Sequence, residues 1–201
     1  MIATEKSGSR GRPRSFDTDE AVCRAMRLFH RHGYDAVGVA ELGAELGIKP
    51  PSLYAAFGSK VGLFERAVER YAAGEANVFG RALTEGGGVT DVIERTLDNA
   101  ARLYPEHDGA AGCLVLDGAR NSGDAEAKAV IAAIKKTHRA AIRDYIAGTF
   151  PARAEELADL VVMALSGMSA AARDGASAAT LQSFARMIGR AFRREARLSG
   201  R

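Results

Sequence analysis

Cysteine is almost missing from this chain. Cys23 and Cys113 are the only two in 201 residues, and they lie far apart without metal-ligand spacing. That counts against a disulfide-stapled scaffold or a thiolate metal site and fits a reducing compartment. Long apolar runs are missing too. The longest stretch without a charged side chain, residues 160–172, has 13 residues, and a bilayer-spanning helix needs about 20. The N-terminus lacks the apolar segment of a signal peptide. A soluble, cytoplasmic protein with no membrane partner is expected. Strand-like alternation is also lacking, whereas helix-period patterning fills nearly all of the chain. The expected fold class is all-α.

The signatures of catalysis are absent in the same way. There is no nucleophile–base arrangement, phosphate loop or paired-carboxylate signal. Gly86, Gly87 and Gly88 lack the strand and lysine that a phosphate cradle requires. No enzyme activity and no cofactor are expected. His107, Asp108 and Cys113 share one loop, but three potential ligands without recognised spacing do not make a metal site. The formal net charge of +3 is too small to single out a nucleic-acid partner by electrostatics alone.

What is present is concentrated in residues 33–60. Val39, Leu42 and Leu46 share one face of a very short helix, and Gly47 follows as its stop. Pro50 and Pro51 open a second short helix, where the amide that proline lacks would have no partner. Its Leu53 and Phe57 face inward, while Ser52, Ala55 and Ala56 face out. Helices of about eight residues do not hold themselves together in water, so a chain that keeps them is presenting them to something. The unit has the proportions of a helix-turn-helix. Upstream, Asp17 or Thr18 caps a helix to about His32 with Val22, Ala25, Met26 and Phe29 buried, ended by Gly33. Downstream, Ser59 caps a helix with Leu63, Phe64, Ala67 and Val68 inside, running until residues 84–88 break the pattern. Leu53 and Phe57 would equally be core residues of a small helical domain without a ligand.

Residues 1–14 carry Lys6, Arg10, Arg12 and Arg14 against Glu5, with no apolar periodicity, so disorder in the free protein is expected. Arg12 and Arg14 flank Pro13 in an extended basic element suited to a narrow minor groove; a solvated basic tail is the alternative.

The run 25–29 (Ala-Met-Arg-Leu-Phe), then Gly33-Tyr34, Gly47-Ile48, Ser52-Leu53-Tyr54, Phe57, Ser59-Lys60 and Leu63-Phe64 resembles the TetR (tetracycline-repressor) family of transcriptional regulators. The resemblance covers about residues 17–70. It implies an all-helical, homodimeric repressor that binds a double-stranded DNA operator and whose C-terminal domain takes a small-molecule effector. It also implies that Tyr54 and Lys60 contact phosphates and that residues 49–55 approach base edges. The candidate DNA-binding set is therefore Arg12, Arg14, Gly38, Lys49, Pro51, Ser52, Tyr54, Ala55 and Lys60. Two positions depart from the family. Gly38 stands where Ser or Thr often caps the second helix, and Ala56 replaces a frequent polar or aromatic phosphate contact.

The implied division is a basic arm (1–16), a helix-turn-helix domain (17–62) and a ligand-binding and dimerisation domain (63–201), about nine helices in all. In the last, helices are expected at about 90–104, from 113, at 124–147 with Val130, Ile131, Ile134, Ala141, Ile142 and Tyr145 buried, at 151–173 and from Ser177. The final one carries Leu181, Phe184, Ile188, Ala191 and Phe192. Residues 160–172 are apolar or small all round and must be covered on nearly every side. The last two helices are accordingly expected to pair with their symmetry mates, the alternative being a central helix of a monomeric bundle. Arg186, Arg190, Arg193, Arg194, Arg197 and Arg201 form a basic run that reads as a solvated face rather than a second DNA contact. Candidate effector contacts are Leu103, Tyr104, Cys113, Leu116, Asn121, His138 and Met163. Cys113 at a helix start is either a sensor thiol activated by the dipole or a buried inert one. An architectural DNA binder without effector, and a helical small-molecule carrier without DNA, remain as alternatives.

Overall fold

The computed structural model describes residues 17–74, 77–105 and 109–198. Arg12, Arg14, His107, Asp108 and Arg201 lie outside that set. Ten α-helices run in order among the described residues: α1 Thr18–His32, α2 Val39–Leu46, α3 Pro50–Phe57, α4 Lys60–Ala73, α5 Val78–Thr84, α6 Val89–Leu103, α7 Leu114–Asp117, α8 Ala125–Ala147, α9 Ala154–Arg173 and α10 Ala178–Arg197. A single 3-10 turn, Pro151–Arg153, leads into α9. The fold is all-α, and none of the described helices is long and apolar enough to cross a membrane.

A side-chain cap starts half of these helices. Asp17, Ser59, Asn77, Asp124 and Ser177 each accept a hydrogen bond from amides of the first turn they precede, a device that contributes about 1 kcal/mol per helix. α1 packs on α4, with α2 and α3 laid across their end. The centre of that layer is aromatic. Phe29 meets Phe64 edge-on at 5.1 Å, and Tyr34 lies 4.9 Å from Phe64. In the C-terminal bundle α6 is the middle helix, packed against α5, α9 and α10. Its Val92, Ile93, Thr96, Leu97 and Ala100 are buried.

Several expectations need correction. The helix expected from Ser59 to about 84 is two helices: the Gly74 amide closes α4 on the Arg70 and Tyr71 carbonyls, and Asn77 caps α5. Apolar periodicity continues through this break, because it reports burial and not hydrogen bonding. Ala141 is exposed, Phe184 is largely so, and Ala56 is half-buried against the core. The covering of α9 is incomplete within one chain, since Met163 and Gly167 are exposed.

Candidate functional site

The short helices hold their angle through backbone contacts that tolerate no side chain. Gly47 closes α2 in the left-handed conformation (φ 68°), and the Ile48 amide returns to the Gly43 carbonyl at 3.0 Å. A Cβ at Gly43 would lie 2.8 Å from the Ile48 carbonyl oxygen. A Cβ at Gly62 would collide with the Phe57 carbonyl, so α4 also meets the end of α3 without clearance. Leu53 and Phe57 anchor α3 in the core, and Arg24 on α1 ties α2 down through Glu45 at 3.3 Å. Gly43 and Gly62 were missed in the sequence. The only signal was a glycine inside an otherwise helical pattern.

With one side anchored, α3 presents the other to solvent. Lys49, Pro51, Ser52 and Ala55 are exposed, and Tyr54 is 48% exposed. Gly38 is exposed at the α2 start and makes no side-chain cap. Residues 46–64 contain two lysines and no carboxylate, so α3 itself carries nothing that repels an anion. Lys60 differs from the rest. Its ammonium sits 3.9 Å above the Tyr34 ring, half-buried. Burial pushes its pKa down, while Asp35 and Asp124 pull it back up. To reach a phosphate it must leave the ring, which costs only about 0.5–1 kcal/mol.

A second feature lies inside the bundle: a cavity of about 290 Å³ walled by Phe79, Leu83, Leu116, Ile142, Val162 and Leu165. Of the candidate effector contacts, Tyr104, Cys113, Leu116 and His138 line it, together with Tyr71, Lys135 and Ser166, which the sequence did not single out. Leu103, Asn121 and Met163 do not line it. Leu103 is half-buried against the core, and Asn121 is exposed in the turn after α7 with φ 61°. Met163 is 71% exposed. The face of α9 towards the cavity carries Val162, Leu165 and Ser166, and one residue further on the helix has rotated by about 100°.

Cys113 is not activated. Burial pushes its thiol pKa up, against smaller opposing hydrogen bonds from the Leu116 backbone and the Tyr71 hydroxyl. Its helix, α7, has four residues, too short a dipole to compensate. Burial likewise raises the pKa of Tyr71 and Tyr104 and lowers that of His138. Among the described residues no group of His, Cys, Asp or Glu is arranged to hold a metal ion.

The N-terminal helices and the bundle are joined by a polar clamp. The Tyr34 amide donates to the Gly118 carbonyl at 2.7 Å, and the Tyr34 hydroxyl donates to Asp124 at 2.8 Å. Asp35 accepts from the Ser122 hydroxyl and the Gly123 amide, and both contacts hold its carboxyl below the usual range. Behind the clamp, Asp117 is buried between Arg120 and Arg173, and Ser169 donates to it. The α1–α2 turn is thus fastened to the α7–α8 turn, while α4 reaches the cavity with Tyr71.

The opposite side of the bundle carries an apolar patch. Met163 and Gly167 on α9, and Phe184 and Met187 on α10, are all exposed. Beyond Gly167 there is open space.

A family model described as bacterial regulatory proteins, tetR family, matches residues 24–67. The HTH-type transcriptional repressor BdcR of Escherichia coli (strain K12) is 41% identical over 193 residues, covering 96% of this chain and 98% of that protein. ComR, an HTH-type transcriptional repressor of the same strain, is 32% identical, covering 88% of this chain and 89% of that one. Among solved structures, a cysteine mutant of the TetR family transcriptional regulator CifR, complexed with 26 bp double-strand operator DNA, superposes with a TM-score of 0.81. It is 30% identical and covers 90% of this chain and 99% of that chain.

Proposed function

The chain belongs to the tetR family of bacterial regulatory proteins, and from that premise we propose that it is a homodimeric, cytoplasmic repressor released from a palindromic operator by a small molecule. It is a DNA-binding regulator and not an enzyme. The observation that carries the proposal is α3, anchored by Leu53 and Phe57 and presenting Lys49, Pro51, Ser52, Tyr54 and Ala55 outward on an acid-free face. In this reading residues 17–62 are the DNA-binding domain, and residues 63–201 bind the effector and the second subunit.

Two-fold pairing through α9 and α10 would bury Met163, Gly167, Phe184 and Met187, which are exposed in the single chain. The dimer then sets two copies of α3 about 34–36 Å apart, one turn of duplex DNA. Tyr54, Lys60 and the arm with Arg12 and Arg14 fix register on the backbone, and affinity falls with salt accordingly. The relatives named as repressors, and the operator complex of CifR, support this assignment.

Release follows from the clamp. A ligand in the cavity touches α4 through Tyr71 and α7 through Leu116, so it strains the joint at Tyr34, Asp35, Gly118 and Ser122. It can move the equilibrium only by its differential affinity for the two states. The test is a fluorescence-anisotropy titration of the full chain against the region upstream of its own gene, at two salt concentrations. Sequence-specific, salt-sensitive binding as a dimer is expected. Binding without sequence preference would leave the architectural alternative, and no binding would leave the carrier.

A further inference from the structure

The cavity has a chemical bias. Among the described residues, no carboxylate lines it. Apart from the Asn77 amide, whose oxygen caps α5, and the Cys113 thiol, its polar side chains are hydroxyls or basic groups: Tyr71, Tyr104, Ser166, Lys135, His138 and Arg139. Arg139 is already engaged, at 2.7 Å from both Asp159 and Glu155. Lys135 is not so matched. Its ammonium donates to the neutral Leu116 carbonyl at 2.8 Å and makes no ion pair among the described residues. Burial and the nearby Arg120 push its pKa down, Asp117 and Cys113 offsetting part of that. His138, one turn along the same face of α8, is also shifted by burial alone.

A half-buried cation facing an apolar chamber with only the more distant Asp117 to offset it is unfavourable, and an anion entering that chamber reduces the deficit. We propose that the cavity takes a small organic anion, its carboxylate lodged between Lys135 and His138 and its apolar body against Phe79, Leu83 and Leu165. This rests on the reading of the cavity as an effector site. A volume of about 290 Å³ is roughly twice the 150 Å³ that admits benzene, enough for one ring or a chain of about six carbons. Entry is between α5 and α8, where Leu83 and Ala141 are exposed beside the 5.8 Å contact of Phe79 with Tyr145.

Binding of the anion has a structural consequence. The carboxylate competes with the Leu116 carbonyl for Lys135. Leu116 lies two residues before Gly118, whose carbonyl holds the Tyr34 amide. Withdrawing Lys135 therefore loosens α7 at the end that fastens the DNA-binding unit.

The experiment is isothermal titration calorimetry of the full chain at neutral pH with four probes: benzoate and hexanoate, and their neutral amides benzamide and hexanamide. The acids are expected to bind at least tenfold tighter than the amides. Lys135→Met and Lys135→Gln should abolish that preference, and Lys135→Arg should keep it. Thermal unfolding and dimer mass check that each variant is folded. Amides that bind as tightly as the acids overturn the anionic class and leave the effector cavity standing. A preference that survives both neutral variants does the same. If none of the four probes binds, the proposal fails, and the effector reading is left to the operator titration.

Discussion

Gly43→Ala in α2 sets two opposed effects of known size against each other. Alanine inside a helix is favoured over glycine by about 0.8–1 kcal/mol, so propensity alone makes the variant more stable. The new Cβ, however, would lie 2.8 Å from the Ile48 carbonyl oxygen, closer than Cβ atoms pack, so the backbone itself must shift. Overpacking of this kind costs about 1–3 kcal/mol. The shift also strains the Ile48 amide bond to the Gly43 carbonyl, 3.0 Å long, worth about 0.5–1.5 kcal/mol. The balance is a net loss of about 0.5–3.5 kcal/mol. For a chain of this size that lowers Tm by roughly 2–4 °C per kcal/mol. Because the displaced carbonyl is in the turn, α3 moves with it, and operator affinity should fall at least tenfold. The assay is thermal unfolding alongside anisotropy. Gly38→Ser is the control: no atom lies within 4 Å of its Cβ and φ is −86°, so a gain of a few tenths of a kcal/mol is expected from the added cap. A Gly43→Ala protein as stable as the parent, binding operator at full strength, would refute the close-approach argument.

Four further outcomes are expected. Tyr54→Ala should weaken operator binding while leaving dimer mass and Tm unchanged, as its side chain is 48% exposed; undiminished affinity would remove Tyr54 from the interface. Lys60→Gln should reduce the salt slope of binding by about one, and an unchanged slope would confine Lys60 to the Tyr34 ring. Met163→Asp places a charge in the proposed subunit interface, and sedimentation should then report monomer where the parent is a dimer. The pKa values of His30 and His138 are both lowered by burial. The unfolded chain therefore binds more protons than the folded one below about pH 6.5, so stability is full above that pH and declines as pH falls through it. Chemical denaturation at pH 7.5, 6.5 and 5.5 should show that decline, shallower in His138→Gln; a flat profile contradicts the assigned burial.

The clamp gives the proposed regulation a physical location. Neither Tyr34 nor Asp35 belongs to the reading helix, yet both are held by the turn that follows the cavity's own short helix. Ser122→Ala should therefore disturb effector response more than operator affinity.

Much of this protein was determined by local sequence. Capping residues at 17, 59, 124 and 177 and the proline pair at 50–51 set where helices start, and stop glycines at 33 and 47 where two of them end, because each acts over a few bonds. The outward placement of Tyr54 followed from the anchoring of Leu53 and Phe57. What only the tertiary structure decided depends on residues distant in the chain. It set Lys60 over Tyr34, assembled a cavity from α4, α5, α7, α8 and α9, raised the Cys113 pKa, and turned Met163 outward while its neighbour Val162 faces the cavity. Apolar periodicity says that a side has to be covered. Whether a core, a ligand or a second subunit covers it depends on the packing of helices up to a hundred residues apart.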